Sequence, residues 1–191
     1  MLVVMSSASM ESRTADGEAR PRPAKFVSPK TVALYAVLTV LATAITMTLV
    51  IPLPNRGYFN VGDSMVFFAA FAFGWRAGMI CGGIGSAAAD LLLGYGFFAP
   101  ITLVAKGTEG FVSGVLGGAW KNATWAKVLG IWAGGICMVT TYFVAEWIFF
   151  GLGYALFELP WNAGQVLIGG LIGLSLAQAV AVYRGTSSRA V

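Results

Sequence analysis

The chain has 191 residues, of which 58% are hydrophobic and 10% charged, with 25 glycines and a formal net charge of +4. That composition belongs to an integral membrane protein and leaves no room for a soluble domain of useful size. The absence of histidine removes His-ligated metal sites and His-based catalytic triads, and the positive balance reads as loop bias at a membrane rather than as a surface for nucleic acid.

At roughly 20 to 25 residues per crossing, loops included, five to seven spans use up the chain. Residues 1–30 are polar and mixed in charge, carrying Glu11, Arg13, Asp16, Glu18, Arg20, Arg22, Lys25 and Lys30 around Pro21 and Pro23. They read as a flexible cytoplasmic tail, without the continuous apolar core of a signal peptide. A six-helix membrane domain over 31–184 and a short cytoplasmic tail over 185–191 complete the division, in an all-α architecture.

Span 1 is expected over about 31–51, ended by Pro52 and Pro54, with a loop rich in turn formers over 55–62. Span 2, about 63–74 with a few residues added at either end, is short. Span 3 covers 76–93, with Gly78, Gly82 and Ser86 at i, i+4 spacing and Gly94 as its stop. The loop over 95–99 is aromatic and uncharged. Span 4, Ala99 to Trp120, carries Lys106 and Glu109 one turn apart, so the two share a face. Thr102 and Ser113 extend that polar stripe, and Gly110, Gly114 and Gly118 form a separate row that admits a close helix. Ionisable groups at membrane depth are expensive unless paired or facing a polar cavity. Span 4 therefore reads as the pocket-lining helix around which the others pack, the alternative being a Lys–Glu pair that only ties helices together. Span 5 covers about 126–150 and span 6 about 161–183, with a Gly169, Gly173, Ala177, Ala181 row. Cys81 and Cys137 lie mid-span and read as packing residues.

The positive charges orient the bundle. With the N-terminus inside, Arg13, Arg20, Arg22, Lys25, Lys30, Arg76, Lys121, Lys127, Arg184 and Arg189 collect on the cytoplasmic side. Only Arg56 falls outside, and Lys106 lies within a span. Both termini are expected to be cytoplasmic, in a multi-pass protein of the cell membrane. Asn60, Asp63, Asp90, Lys106, Glu109, Glu146, Glu158, Asn162 and Gln165 then all fall in the outer half, among Tyr58, Phe59, Tyr95, Phe97, Phe98, Trp147, Tyr154 and Trp161. Some of these rings form an interfacial belt. The pattern is that of a polar, aromatic-walled pocket open to the outside.

FNVGDSMVFFAAFAFG, GGIGSAAADLLLGY and AP-x-TL-x-x-KG-x-EG together resemble the membrane-embedded substrate-binding (S) components of energy-coupling factor (ECF) vitamin transporters. The branch most resembled includes riboflavin and hydroxymethylpyrimidine transport proteins. The resemblance is carried by residues 52–118, above all Asn60-Val61-Gly62-Asp63 and Lys106-Gly107-Thr108-Glu109-Gly110. It implies a six-helix fold that takes a vitamin-sized solute from outside, at a site built from the first loop, later loops and helices 4 to 6. It also implies docking through helices 1 to 3 onto a transmembrane T component that carries two ABC ATPases. The chain has no G-x-x-x-x-G-K-[ST] loop of its own, since Lys106 precedes its glycine. The short alanine repeat of helix 1 is replaced by Thr39/Thr43, Ala42/Thr46 and Ala44/Thr48.

The candidate substrate-binding residues are Asn60, Asp63, Asp90, Tyr95, Lys106, Glu109, Glu146, Trp161, Asn162 and Gln165. Asp63 follows Gly62 at a helix start and reads equally as an N-cap; Asp90 reads equally as a cap or an ion-pair partner of Lys106. No catalytic, metal or cofactor site is expected, and no nucleic-acid partner. Aromatic walls with a few donors and acceptors suit a flat heterocycle, such as riboflavin, a pyrimidine precursor, a pyridoxine-like ring or a deazapurine. A self-contained ion-coupled transporter is the competing reading, with Glu109, Glu146 or Asp90 as the proton carrier. It ordinarily needs two related halves, and no internal repeat is visible.

Overall fold

A computed structural model describes residues 28–54, 57–119 and 123–187. Seven α-helices follow in order: α1 (Pro29–Thr48), α2 (Asp63–Phe73), α3 (Trp75–Ile80), α4 (Ser86–Leu93), α5 (Ala99–Ala119), α6 (Thr124–Phe150) and α7 (Leu152–Ser187). A π-helical turn, Cys81–Gly85, joins α3 to α4 into one 19-residue apolar span. Six membrane helices result. Four of them, 29–48, 75–93, 124–150 and 152–185, are both long and apolar enough to cross a bilayer. The other two depart from that rule for visible reasons: α5 has 21 residues but carries Lys106 and Glu109, and α2 has 11.

At 1.5 Å per residue α2 is roughly 16 Å long, about half the hydrocarbon thickness. The few extra residues expected at its ends are absent. Gly62 caps its start, and Gly74, at φ +92°, turns the chain directly into α3. Span 1 also ends sooner than Pro52 suggests, at Thr48. What read as an irregular first loop contains a small antiparallel hairpin, β1 (Ile51–Pro52) with β2 (Tyr58–Phe59), in register Ile51↔Phe59 and Pro52↔Tyr58.

The largest difference lies between the last two spans. Residues 151–160 fall between the expected spans 5 and 6, yet only Gly151, at φ +92°, separates α6 from α7, and Pro160 lies inside α7. A proline removes one backbone bond from a helix rather than necessarily ending it. The consequence is functional, because Glu158, Asn162 and Gln165 fall at i, i+4 and i+7 of one helix and share a face. At its far end α7 stays helical through residues 185–187, where a tail was expected. Most of residues 1–30, with Arg56, Lys121 and Arg189 of the charge argument, lie outside the described residues.

Helix α5 is the centre of the bundle, packed against α2, α3, the π-turn, α4 and α6, while α1 covers α2 to α4 and α7 covers α2 and α6. The glycine rows make this closeness possible. A Cβ on Gly78 would strike the Gly110 carbonyl oxygen at 2.7 Å, and one on Gly114 would run into the Trp75 backbone. Gly118, the third of its row, has open space around it. Gly169 and Gly173 seat α7 on Asp63, Ser64 and Phe67 of α2, and Ala177 continues that row; Ala181 is exposed. Both cysteines are free thiols, Cys81 fully buried where its Sγ faces the Leu38 carbonyl at 3.3 Å.

Candidate functional site

The hairpin, the start of α2, the end of α4, the start of α5, the end of α6 and the start of α7 converge at one end of the bundle. Between them lies a cavity of about 40 Å³. Asn60, Asp90, Lys106, Glu146, Asn162 and Gln165 all line it, as the sequence reading grouped them. The other four candidates stand off the cavity wall. Asp63 is fully buried behind Lys106. Glu109 is fully buried one turn deeper on α5. Tyr95 packs its ring on Tyr58 at 4.6 Å between centroids. Trp161, partly exposed, sets its ring edge-on to Phe59 at 6.3 Å.

The charged pair differs from expectation. Lys106 does not pair with Glu109 on its own helix; its ammonium bonds the carboxylate of Asp63 across on α2. Residues one turn apart on a helix share a face, but a side chain aimed off that face meets the neighbouring helix instead. Asp63 is in the first turn of α2, where the helix dipole favours an anion, and Gly62, not Asp63, occupies the N-cap. Asp90 is not the Lys106 ion pair either: its Oδ1 accepts from the Tyr58 hydroxyl at 2.5 Å. Burial, then the adjacent Asp90 carboxylate, push the Tyr58 pKa up, which keeps that hydroxyl a donor.

The hairpin is tied down by a chain of amides. Asn60 Nδ2 donates to Gln165 Oε1 at 2.9 Å, Gln165 Nε2 donates to Asn162 Oδ1 at 3.3 Å, and the Gly62 N–H donates to Asn60 Oδ1 at 2.8 Å. A Cβ on Gly57 would run into the Glu158 carboxylate, so hairpin and α7 close tightly over the site. Tyr142 forms a wall, with its hydroxyl donating to Thr102 Oγ1 at 2.8 Å and its ring 5.9 Å from the Lys106 ammonium.

Several acceptors remain unused. Asp90 Oδ2, Glu146 Oε2 and Thr46 Oγ1 are buried and have no hydrogen-bond partner among the described residues, and all three side chains line the cavity. Buried oxygens of this kind are uncommon and call for a donor. Thr46, Ser86 and Tyr142 also line the site and escaped sequence reading. Thr46 and Tyr142 sit on spans read for other roles, and nothing in an isolated Thr or Ser in an apolar helix distinguishes a pocket wall from a packing position. Thr102 and Glu158 were legible, one in the polar stripe of span 4 and the other in the outer-half cluster.

A helical membrane bundle that buries one polar, aromatic-walled cavity at one end is a membrane-embedded solute-binding protein. Residues 26–182 match the model of the family described as ECF-type riboflavin transporter, S component, and the chain belongs to that family. It is thus the substrate-binding subunit through which an ECF transporter takes up a vitamin-like solute, and its family is a class of transporter component. It is 39% identical over 133 residues to a Pyrococcus woesei protein described as the uncharacterized protein in gap 3′region, covering 69% of this chain and 88% of that one. It is 26% identical over 142 residues to the thiamine precursor transporter HmpT of Lactococcus lactis subsp. cremoris (strain MG1363), covering 73% and 81% respectively. A solved structure described as the S component of a bacterial ECF transporter shares the fold at a TM-score of 0.54 and 16% identity, over 83% of this chain and 96% of that one.

Proposed function

We propose that the cavity binds a small, neutral or cationic heteroaromatic vitamin or vitamin precursor, with Asp90 and Glu146 accepting hydrogen bonds from its ring substituents. The observation that carries this reading is the pair of unused buried oxygens, Asp90 Oδ2 and Glu146 Oε2, facing a space walled by Phe98 and Tyr142. Glu158 adds a third carboxyl to the wall against the single cation Lys106, whose charge is already matched by Asp63. Such a lining repels anions and favours N–H and O–H donors. Asn60, Asn162 and Gln165 supply further amide contacts, and Lys106 has N–H groups beyond the one given to Asp63. Asp63, Tyr95 and Trp161 act from behind this wall, holding Lys106 and the hairpin, while Glu109 lies deeper on α5.

A space of 40 Å³ holds about three water molecules. Solute entry therefore requires the hairpin to part from α7, the step that the Asn60–Gln165 bond resists. Both the family's riboflavin and the thiamine precursor of HmpT fit the chemical class. The test is to purify the chain without added ligand, identify the retained solute by mass spectrometry, and measure binding of riboflavin and of a hydroxymethylpyrimidine. A neutral or cationic heterocycle that competes with the retained species supports the reading; an anionic ligand bound equally well by Asp90→Asn overturns it.

Transport itself belongs to a complex with an ECF T component and two ABC ATPases, on this reading. The exposed face of α1, including Ala33, Ala36, Val40 and Ala44, offers a surface of small and branched residues for that docking. Ala42 and Thr46 are buried inside the bundle and Thr43 donates to the Gly85 carbonyl at 2.8 Å, so those small pairs serve the subunit's own packing. With both termini cytoplasmic, the cavity opens outward.

A further inference from the structure

A second cavity, about 250 Å³, lies at the opposite end of the bundle, between the end of α2, the start of α6 and the end of α7. Phe71, Ala177 and Val180 form its apolar wall, and two cations, Lys127 and Arg184, line it. Lys127 is 4% exposed and has no hydrogen bond or ion pair among the described residues. It also sits in the first turn of α6, where the helix dipole is positive and disfavours a cation. Arg184 is held in place by donating from Nη1 to the Ala72 carbonyl at 3.3 Å and by lying 5.1 Å above the Phe73 ring.

Nothing on the described chain balances these charges. Of the described acidic residues, Asp63 begins α2, Asp90 lies near the end of α4, Glu146 near the end of α6, Glu158 near the start of α7 and Glu109 mid-way along α5. All stand at the other end of the bundle or near its middle. Two cations that face one cavity with no acidic side chain beside them repel each other unless an anion meets them. The cavity is large enough for a phosphate group with accompanying waters. Basic pockets between helices at a membrane surface are suited to anionic headgroups.

We propose that Lys127 and Arg184 form a binding site for a phosphate group at the end of the bundle remote from the solute cavity. The bilayer supplies such a group as an anionic headgroup, and the aqueous phase supplies it as free phosphate; the site recognises what they share. Lys127, its stem covered by the bundle, is the inner anchor and Arg184 the outer clamp, with the start of α6 contributing its positive dipole.

The test uses the full chain in a non-ionic detergent and follows thermal unfolding as short-chain phosphatidylglycerol, the matching phosphatidylcholine or inorganic phosphate is added. Phosphatidylglycerol is expected to stabilise the wild type. Its half-saturating concentration should rise about fivefold for each cation lost in K127M and R184Q, the usual effect of one basic side chain at a membrane surface. K127R keeps the charge and should keep the response, and it carries the comparison with R184Q if K127M fails to fold. R76Q removes an exposed cation of the same end and should respond as wild type does. Equal protection by millimolar inorganic phosphate would assign the site to free phosphate, whereas protection by phosphatidylglycerol alone would assign it to the lipid. Equal responses of wild type and the K127M/R184Q double variant would overturn the site, as would equal protection by phosphatidylcholine or a loss in R76Q as large as in K127M.

Discussion

Lys106 on α5 donates to Asp63 in the first turn of α2, so the two helices that frame the solute cavity are joined by a buried ion pair. Removing one partner leaves the other charge buried and uncompensated, a loss of about 3 to 5 kcal/mol. Lys106→Met and Asp63→Asn should therefore each melt well below the wild type in detergent, while the double substitution recovers most of the difference. Lys106→Met combined with Glu109→Gln should show no such recovery. If that second pair is the one that recovers, the partner of Lys106 has been misassigned.

Glu109 raises a different expectation. Its carboxylate is fully buried, neither oxygen has a hydrogen-bond partner among the described residues, and its charged neighbours are Asp63 and Lys106. Glu109→Gln replaces a fully buried carboxyl beside Asp63 with an amide of almost the same shape. Stability should hold or rise, and solute affinity should stay close to that of wild type, because the side chain is not on the cavity wall. Isothermal titration alongside a melting curve reads both; a large loss of affinity with normal folding would put Glu109 in direct contact with the solute.

The six-helix plan and the central place of α5 were legible because they rest on length, apolarity and glycine spacing, which the sequence carries directly. Six of the ten candidate residues share the cavity because charge placement in a membrane protein is sparse and purposeful. The partner of Lys106 was not legible, since Asp63 is 43 residues away and one-turn spacing gave Glu109 a nearer claim. The helical start of α7 over 152–160 was not legible for a related reason: the local preference of Pro160 to end a helix is overridden there by the packing of α7 on α2 and α6. The hairpin was hidden among prolines and glycines that signal turns without indicating which strands meet across them.

The hairpin latch gives a kinetic prediction. Asn60 and Gln165 join the first loop to α7 by a bond of 2.9 Å, worth about 0.5 to 1.5 kcal/mol net. Asn60→Ala and Gln165→Ala should each speed hydrogen exchange at the Leu53 amide, which bonds the Gly57 carbonyl at the neck of the hairpin. In a double-mutant cycle the two effects should be less than additive. Strict additivity would mean that the two amides act independently and that no latch exists.

The carboxylates of the cavity give the sharpest prediction about recognition. Asp90 has one oxygen engaged by Tyr58 and one unused, and Glu146 also has an unused oxygen. A hydrogen bond contributes about 0.5 to 1.5 kcal/mol net, and one to a charged acceptor about 1.5 to 3 kcal/mol. Asp90→Asn and Glu146→Gln should thus each weaken solute binding, by on the order of two- to a hundredfold, with little change in melting temperature. Tyr58→Phe separates the structural use of Asp90 from its use in recognition. It strips the donor from Oδ1 and should cost stability by about 1 to 3 kcal/mol, while Oδ2 stays available to the solute. Calorimetric binding and thermal unfolding of the three variants distinguish the roles. If Asp90→Asn lowers stability as Tyr58→Phe does but leaves affinity intact, Asp90 is a hairpin anchor only, and recognition of the solute falls to Glu146 and the amides of α7.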